Sequence, residues 1–188
     1  IASFFRNPAV TEAVRDLLQH RDGLMLGICN GFQALIKLGL VPYGEIIDTD
    51  ETCPTLTFNN ISRHQSRIVR TRVASNKSPW LALTNVGDVY NVPISHGEGK
   101  FLASEELIRR LAANGQIATQ YVDLDGNATA DVHFNPNGSL YAIEGITSPD
   151  GRVFGKMGHS ERIGSGLYKN VPGEYNIRMF EAAVKYFR

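Results

Sequence analysis

The sequence predicts an α/β fold in a single domain, and three observations support this class. Short apolar runs bounded by Gly, Pro and Asn alternate with stretches whose apolar residues recur at helical spacing. The chain has 188 residues, which is enough for one domain with a substantial core. Neither a repeat nor a low-complexity tract divides it, so we expect one α/β domain with a β-rich middle.

The N-terminal part of the chain predicts a helix, a strand and a second helix. Asn7-Pro8 is a favourable helix start, and the apolar spacing after it predicts a helix over about 8–20. Leu24–Ile28 is short and apolar, as in a buried parallel strand. Residues 30–38 again have helical spacing, and Gly39 stands where a glycine commonly ends a helix.

Between about residues 55 and 95 the pattern changes to short strand-like runs separated by Asn, Ser, Pro and Gly. These runs are "TLTFN", "SRIVRTRVA", "WLALTN" and "VYNVPIS". Ser104 opens a further helix that ends near Ala113, and "QIATQYV" is the next predicted strand. "YAIEGIT" and "RVFGKMG" flank a Ser-Pro-Asp-Gly turn and predict a hairpin, and a helix over about 176–187 follows.

Cys29 lies between Gly27 and Gly31, where the first predicted strand turns into a helix. A junction of this kind holds a side chain exposed above a sheet, as nucleophile elbows do. We expect both glycines to be needed sterically, because Cβ atoms at these positions would clash in so tight a turn. We also expect the helix N-terminus to lower the pKa of the thiol and the amide of Asn30 to face an oxyanion.

The turn alone leaves two interpretations of Cys29 open, since most free cysteines are buried small apolar residues. Cys53 lies in a loop without comparable neighbours and is predicted to be structural. A thiolate nucleophile requires a base and an orienting group. Among the five histidines, His159 follows a predicted strand, and Glu161 projects to the same side of an extended segment. This pair is therefore the candidate base with its orienting carboxylate.

Composition and motifs exclude several function classes. Lys plus Arg and Asp plus Glu number 19 each, so no charge excess points to nucleic acid or an anionic membrane. No apolar run approaches the length of a membrane span, and two irregularly spaced cysteines indicate a reducing, cytoplasmic environment. Because no cluster has metal-ligand spacing and no glycine pattern fits nucleotide phosphates, no metal or cofactor is expected in this domain.

Several ordered motifs resemble those of the class I, triad-type glutamine amidotransferases. The segment "GICNGFQ" around Cys29 and His159-Ser160-Glu161 carry the general resemblance. "PISHGEGKF", "NPNGS" and "GITSPDGRVFGKMGHSER" narrow it to the glutaminase domains of phosphoribosylformylglycinamidine synthases, in their large single-chain form. The resemblance implies a flavodoxin-like three-layer sandwich around a mixed, mostly parallel sheet.

The resemblance also implies a reaction and the residues that perform it. Cys29 would attack the side-chain amide of L-glutamine, His159 would transfer the proton, and Glu161 would orient the imidazole. A γ-glutamyl thioester would form and then be hydrolysed to glutamate. The implied oxyanion and substrate contacts come from five further residues, namely Asn30, Gln33, His96, Asn137 and Gly138.

The family further implies a partner for the released ammonia. Ammonia would pass to an ATP-dependent synthase domain of the same polypeptide, which forms formylglycinamidine ribonucleotide in purine biosynthesis. ATP and Mg²⁺ would bind to that domain. The loop His96–Lys100 would line the site or face the synthase domain.

Two features depart from the family pattern. Many relatives have Pro between the His and the Glu, where this chain has Ser160, whose side chain we expect to point away from the pair. A glycine-rich loop that donates a second oxyanion amide usually precedes the cysteine in the family but does not precede Cys29. We therefore expect residues 1–188 to be a fragment of a glutamine amidotransferase domain that lacks its first strands.

Two other functions stay open from the sequence. One is another class I amidotransferase or a γ-glutamyl cysteine hydrolase, which glutamine consumption without a coupled synthase would favour. The other is an inactive module that docks to the synthase. Replacing Cys29 by Ala separates an enzyme from a docking module, because only an enzyme depends on the thiol.

Overall fold

The computed structural model describes all 188 residues and contains eight strands in two sheets. In chain order the strands are β1 (Met25–Ile28), β2 (Thr55–Phe58), β3 (Gln65–Val73), β4 (Val89–His96), β5 (Glu98–Leu102), β6 (Ile117–Tyr121), β7 (Ile143–Thr147) and β8 (Val153–Lys156). Six strands form one sheet in the order β1-β8-β7-β6-β3-β4. The strands β2 and β5 pair with each other in a separate sheet.

Six helices accompany the sheets. They are α1 (Ala2–Phe5), α2 (Pro8–Arg15), α3 (Asn30–Leu38), α4 (Leu40–Tyr43), α5 (Glu105–Ala113) and α6 (Met179–Tyr186). Polar caps fix two helix starts, since the side chain of Asn7 accepts the Ala9 N–H at 3.0 Å and that of Ser104 accepts the Leu107 N–H at 3.2 Å. None of the helices combines the length and apolar character that a membrane crossing requires.

The large sheet is mixed, but only one of its strand pairs is parallel. The strands β1 and β8 run parallel, with Met25 opposite Val153 and Ile28 opposite Lys156. All other neighbours in this sheet are antiparallel. The prediction of a mixed sheet is confirmed, but its parallel share is smaller than predicted. A short turn such as the one between β7 and β8 can join only antiparallel neighbours.

Helices cover both faces of the large sheet and produce three layers. On one face, α2, α3 and α5 pack on β7 and β8 through a core that includes Phe32 and Ile146. On the other face, α6 packs through Met179 against Phe154 and the 3₁₀ turn that precedes β4. The predicted α/β sandwich is therefore confirmed, and its layers bury the strands that carry Cys29 and His159.

Most predicted elements are present close to their expected bounds, with two exceptions. The run "WLALTN" is not a strand, because Ser78 caps a 3₁₀ turn and Trp80 donates its indole N–H to the Arg152 carbonyl at 3.1 Å. The strand β5 is missed by the sequence pattern. Gly97 precedes this strand and Gly99 lies within it, and the two glycines make the segment look like a loop.

Candidate active site

Cys29 occupies a sharp turn between β1 and α3. Its φ of 54° and ψ of −108° are unusual for a residue that has a side chain. The turn is held from both directions, since the Cys29 N–H donates to the Lys156 carbonyl at 2.9 Å and the Cys29 carbonyl accepts the Gln33 N–H at 3.1 Å. The strand–turn–helix elbow expected from the sequence is therefore present.

The two glycines beside Cys29 differ in their steric role. A Cβ on Gly27 would lie 2.6 Å from the Gly31 carbonyl carbon and 2.5 Å from Leu35 Cδ1, so only glycine fits there. A Cβ on Gly31 would meet nothing within 4 Å. The steric prediction is confirmed for Gly27 and wrong for Gly31, which faces open space at the start of α3.

The Cys29 thiol is buried and lies 3.7 Å from the Ser95 carbonyl oxygen, to which it donates. Burial raises the pKa of this thiol, and it outweighs the Asn30 N–H and the Arg162 cation, which both favour the thiolate. The predicted lowering of the thiol pKa is therefore wrong for the resting protein. The helix start acts in the predicted direction but is the smaller effect.

His159 and Glu161 are in direct contact. Nδ1 of His159 lies 2.6 Å from a carboxylate oxygen of Glu161, and the His159 main-chain N–H donates to the Pro93 carbonyl at 2.8 Å. Because a carboxylate can only accept, the neutral imidazole carries its proton on Nδ1. The other ring nitrogen, Nε2, is buried and has no hydrogen-bond partner. It is therefore free to accept a proton.

The parallel pairing of β1 and β8 brings Cys29 and His159 to the same edge of the sheet. Cys29 follows β1 directly, and His159 comes shortly after β8 ends at Lys156. Glu161 and Arg162 both influence the pKa of the thiol electrostatically, which agrees with this segment lying on the same side of the sheet as the sulfur. The strand pairing therefore brings the thiol and the His159–Glu161 pair to one end of the sheet, and their joint action stays a prediction.

His96 is a second buried histidine near Cys29. The side-chain N–H groups of Asn59 donate to the His96 and Arg63 carbonyls, which leaves its oxygen 3.2 Å from His96 Nδ1. The proton of His96 therefore sits on Nδ1, and Nε2 is buried without a partner. Burial lowers the pKa of His96 to about 4, so the ring is neutral near pH 7.

An open cavity of about 440 Å³ lies in front of Cys29, a volume suited to a small ligand. It is lined by Cys29, Asn30, Gln33, Phe58, His64, Ser95, His96, Gly97 and Glu98. Four of the residues predicted from the sequence therefore share one cavity. No group of His, Cys, Asp and Glu side chains is arranged to hold a metal ion.

Gln33 lines the cavity, whereas the turn around Asn137 does not. The Gln33 amide donates to the Glu98 carbonyl at 2.7 Å and ties α3 to β5 at the cavity wall. Asn137 is fully buried, does not line the cavity, and donates to the Gly99 carbonyl at 2.7 Å. Gly138, with a φ of 74°, continues the same turn outside the cavity wall. The turn therefore braces β5, and its contact with a substrate stays a prediction.

The sequence reasoning missed several residues of this region. Ser95 lies inside the "PISHGEGKF" motif, whereas Phe58 at the end of β2 and His64 just before β3 line the cavity without a signal in the sequence pattern. It also missed a buried ion pair between Glu144 and Lys156. A charged residue inside each of two apolar strand-like runs, "YAIEGIT" and "RVFGKMG", is the signal that was available.

Comparison with protein families matches residues 1–187 to the CobB/CobQ-like glutamine amidotransferase domain. Three similar curated proteins are named phosphoribosylformylglycinamidine synthase subunit PurQ. The protein from Chlorobaculum tepidum is 39% identical over 84% of this chain and 61% of its own length. The proteins from Aquifex aeolicus and Methanococcus maripaludis are 37% and 36% identical, over 84% and 87% of this chain and 63% and 65% of their own lengths. The chain thus spans less than two thirds of these relatives.

Two solved structures share the fold. A chain of the PurLQS structure from Thermotoga maritima superposes with a TM-score of 0.70 at 24% identity, covering 100% of this chain and 72% of that chain. The glutaminase domain of Trypanosoma brucei CTPS with bound acivicin gives a TM-score of 0.51 at 13% identity, covering 98% and 78%. At these identities the likeness concerns the fold alone, and it agrees with the three-layer architecture.

Proposed function

The chain belongs to the family of CobB/CobQ-like glutamine amidotransferase domains, and from this premise we propose that it hydrolyses L-glutamine to glutamate and ammonia. The observation that carries the proposal is the Cys29 elbow on a cavity of suitable size, with the His159–Glu161 pair following the strand that lies parallel to β1. The names of the curated relatives support the pathway, the synthesis of formylglycinamidine ribonucleotide in purine biosynthesis.

In the first half of the proposed reaction, Cys29 is the nucleophile. Nε2 of His159 takes the thiol proton, and the sulfur attacks the side-chain amide carbon of glutamine. The negative charge that develops on the amide oxygen is stabilised by the Asn30 N–H at the start of α3. His159 then gives its proton to the departing nitrogen, so that ammonia leaves and a γ-glutamyl thioester remains.

In the second half, His159 takes a proton from a water molecule, which attacks the thioester carbon. The carbon–sulfur bond breaks, glutamate forms, and the proton returns to the Cys29 sulfur. Glu161 accepts the hydrogen bond from the Nδ1 N–H of His159 throughout. Its negative charge stabilises the imidazolium that forms twice in the cycle.

The raised pKa of Cys29 fits a thiol that loses its proton only when substrate is bound. In the resting protein the thiol donates to the Ser95 carbonyl and not to His159. Rotation of the thiol hydrogen or side chain toward Nε2 of His159 therefore has to precede attack. Premature reactions of a free thiolate are suppressed by this arrangement.

The remaining predicted residues are proposed to hold the substrate or the cavity wall. Neutral His96 offers an acceptor at Nε2, and Gln33 presents the oxygen of its amide at the same cavity. Asn137 and Gly138 are proposed to act through β5, which they brace. These contacts fix the orientation of the amide that Cys29 attacks.

We also propose that the ammonia is used by an ATP-dependent synthase domain, as part of the same polypeptide. ATP and Mg²⁺ then belong to that domain. The curated relatives are named as a subunit of a synthase, which supports a synthase partner, whereas fusion to that partner rests on the motif resemblance alone.

The experiment that tests the proposed function measures glutamate released from L-glutamine by the purified protein. Cys29→Ala and Cys29→Ser are expected to lower the rate by at least about 1,000-fold. Cys53→Ala is the matched control, because the second thiol lies in a loop outside the cavity and is expected to leave the rate unchanged. Glutamine hydrolysis that survives in Cys29→Ala would contradict the assignment.

A further inference from the structure

The ion pair between Glu144 and Lys156 is almost completely buried and has no step in the proposed reaction. Glu144 lies on β7 and is 0% exposed, Lys156 ends β8 and is 1% exposed, and their charged atoms are 3.1 Å apart. Removing two charges from water is costly, and a buried pair often contributes no net stability over apolar residues of similar size. The pair therefore calls for an explanation other than stability.

The hydrogen bonds of the pair converge on the segment that carries His159. The Lys156 ammonium donates to the Gly158 carbonyl at 2.9 Å and to the Ser160 hydroxyl at 3.0 Å. One oxygen of Glu144 accepts the Gly158 N–H at 2.6 Å, and the other accepts the Thr119 hydroxyl. All three ammonium donors and both carboxylate oxygens are thus satisfied.

These contacts hold the backbone on both sides of His159. The main-chain N–H and the main-chain carbonyl of Gly158 both bond to the ion pair, and Ser160, on the other side of His159, is anchored by its side chain. A Cβ on Gly158 would lie 2.9 Å from a Glu144 oxygen and 2.7 Å from Val92, so the approach requires glycine. The backbone at His159 therefore has little freedom to move, and this keeps the imidazole ring close to its present position.

Lys156 is also attached to the other half of the site. Its main-chain carbonyl accepts the Cys29 N–H at 2.9 Å, while its side chain holds the residues that flank His159. One residue therefore fixes the backbone of the elbow and the backbone of the histidine segment at once.

We infer that the buried Glu144–Lys156 pair is a positioning device, which holds the His159 segment against the Cys29 elbow so that Nε2 faces the thiol. The inference rests on the proposed function, in which His159 exchanges a proton with Cys29. Neither Glu144 nor Lys156 contacts the substrate in this scheme, and both act through the backbone that they clamp.

The decisive variant replaces the whole pair by apolar residues, Glu144→Leu with Lys156→Met. Because no unpaired charge is left behind, the protein is expected to stay folded, with a lower thermal midpoint because the polar groups of Gly158, Thr119 and Ser160 lose their partners. We expect kcat for glutamine hydrolysis to fall about 100-fold with KM changed less than about 3-fold, since misplacement of a catalytic group costs turnover more than binding. Thr147→Val, which removes a buried hydroxyl without a partner from the same strand, is the matched control and retains both constants.

A second readout does not depend on glutamine. The His159 Nδ1 proton, shared with Glu161 at 2.6 Å, is expected to give a strongly deshielded proton NMR signal. The signal should disappear or broaden in the double variant and persist in Thr147→Val. A folded double variant that keeps both the signal and its kcat would show that the pair is only structural and would overturn the inference.

A single substitution keeps the inference testable if the double variant does not fold. Ser160→Ala removes one of the three lysine acceptors without leaving a charge unpaired, and a roughly 10-fold loss of kcat with a weakened His159 signal is expected. Full turnover and an unchanged signal in this variant would contradict the inference. If the original protein hydrolyses no glutamine, the proposed function fails, while the NMR comparison still decides whether the pair positions His159.

Discussion

The pKa of Cys29 reflects two opposing influences on one sulfur atom. Burial favours the neutral thiol, whereas the Asn30 N–H and the Arg162 cation favour the thiolate. Burial is the larger influence, so the pKa of the thiol lies above its ordinary value. This balance is that of a thiol that is neutral in the resting protein, and not that of a permanent thiolate.

Removing Arg162 should raise the pKa of Cys29 further. In a Cys53→Ala background, the rate of Cys29 alkylation by iodoacetamide is measured against pH, and Arg162→Gln is expected to shift the profile to higher pH. Lys169→Gln changes a cation of the same exposed segment that does not act on the thiol, and should leave the profile in place. A shift of the Arg162 variant to lower pH would contradict this account.

His96 gives the protein a pH-dependent stability. Its pKa is about 4 in the fold because of burial, against about 6.5 for an unfolded histidine, so the unfolded chain binds an extra proton between these values. The contribution is fully present above about pH 6.5 and is lost as the pH falls to about 4, by roughly 3 kcal/mol.

Denaturant unfolding at pH 7 and pH 4.5 measures this loss. The original protein should lose more free energy of unfolding between the two pH values than His96→Gln, which has no group to titrate. Equal losses in the two proteins would show that burial of His96 does not set its protonation.

At the scale of elements, the β1–turn–α3 junction depends on one glycine. Gly27→Ala places a methyl group against the backbone of Gly31 and should lower the free energy of unfolding by about 1–3 kcal/mol. Gly31→Ala meets no neighbouring atom and replaces glycine in a helix, so it should be neutral or stabilising by up to about 1 kcal/mol. The two denaturant midpoints give the comparison, and equal destabilisation would be inconsistent with the geometry of the turn.

Elements were predictable from the sequence where a local signal exists. The helix that starts at Pro8, the helix after Ser104 and the β7–β8 hairpin carry caps or turn residues, and each is found. The strand β5 and the turn at Trp80 were not predictable, because pairing with β2 and burial of an indole are tertiary effects.

The same limit applies to the site. Cys29, His159 and Glu161 could be proposed from motif and spacing, but the bracing role of Asn137 and the ion pair of Glu144 could not. Their roles arise from residues far apart in the chain that meet only in the folded sheet.

Across the whole molecule, the free edge of β4 is partly covered by a later segment. The Asn91 N–H donates to the Glu174 carbonyl at 2.7 Å, and the Asn91 side chain donates to the Pro172 carbonyl at 3.0 Å. A sheet edge without such cover is a template for association with another chain.

Asn91→Ala should weaken this cover, because it removes the side-chain bond to Pro172 and leaves the main-chain bond to Glu174. We expect a loss of about 1 kcal/mol in the free energy of unfolding and more self-association, seen by light scattering over a range of protein concentrations. Asn85→Ala, in the exposed turn before β4, is the control and should remain unchanged in both measurements. An Asn91 variant that scatters like the control would show that the segment does not protect the edge.

The parallel register of β1 and β8 also bears on how this protein can change in evolution. Because Ile28 lies opposite Lys156, the elbow and the histidine segment are joined through adjacent strands and not through the long stretch of chain between them. Surface turns in that stretch, such as the exposed one at Asp125, can lengthen or shorten without altering the spacing of Cys29 and His159. The relative position of Cys29 and His159 is therefore insensitive to insertions in these turns, and the loops can diverge while the proposed active site keeps its geometry.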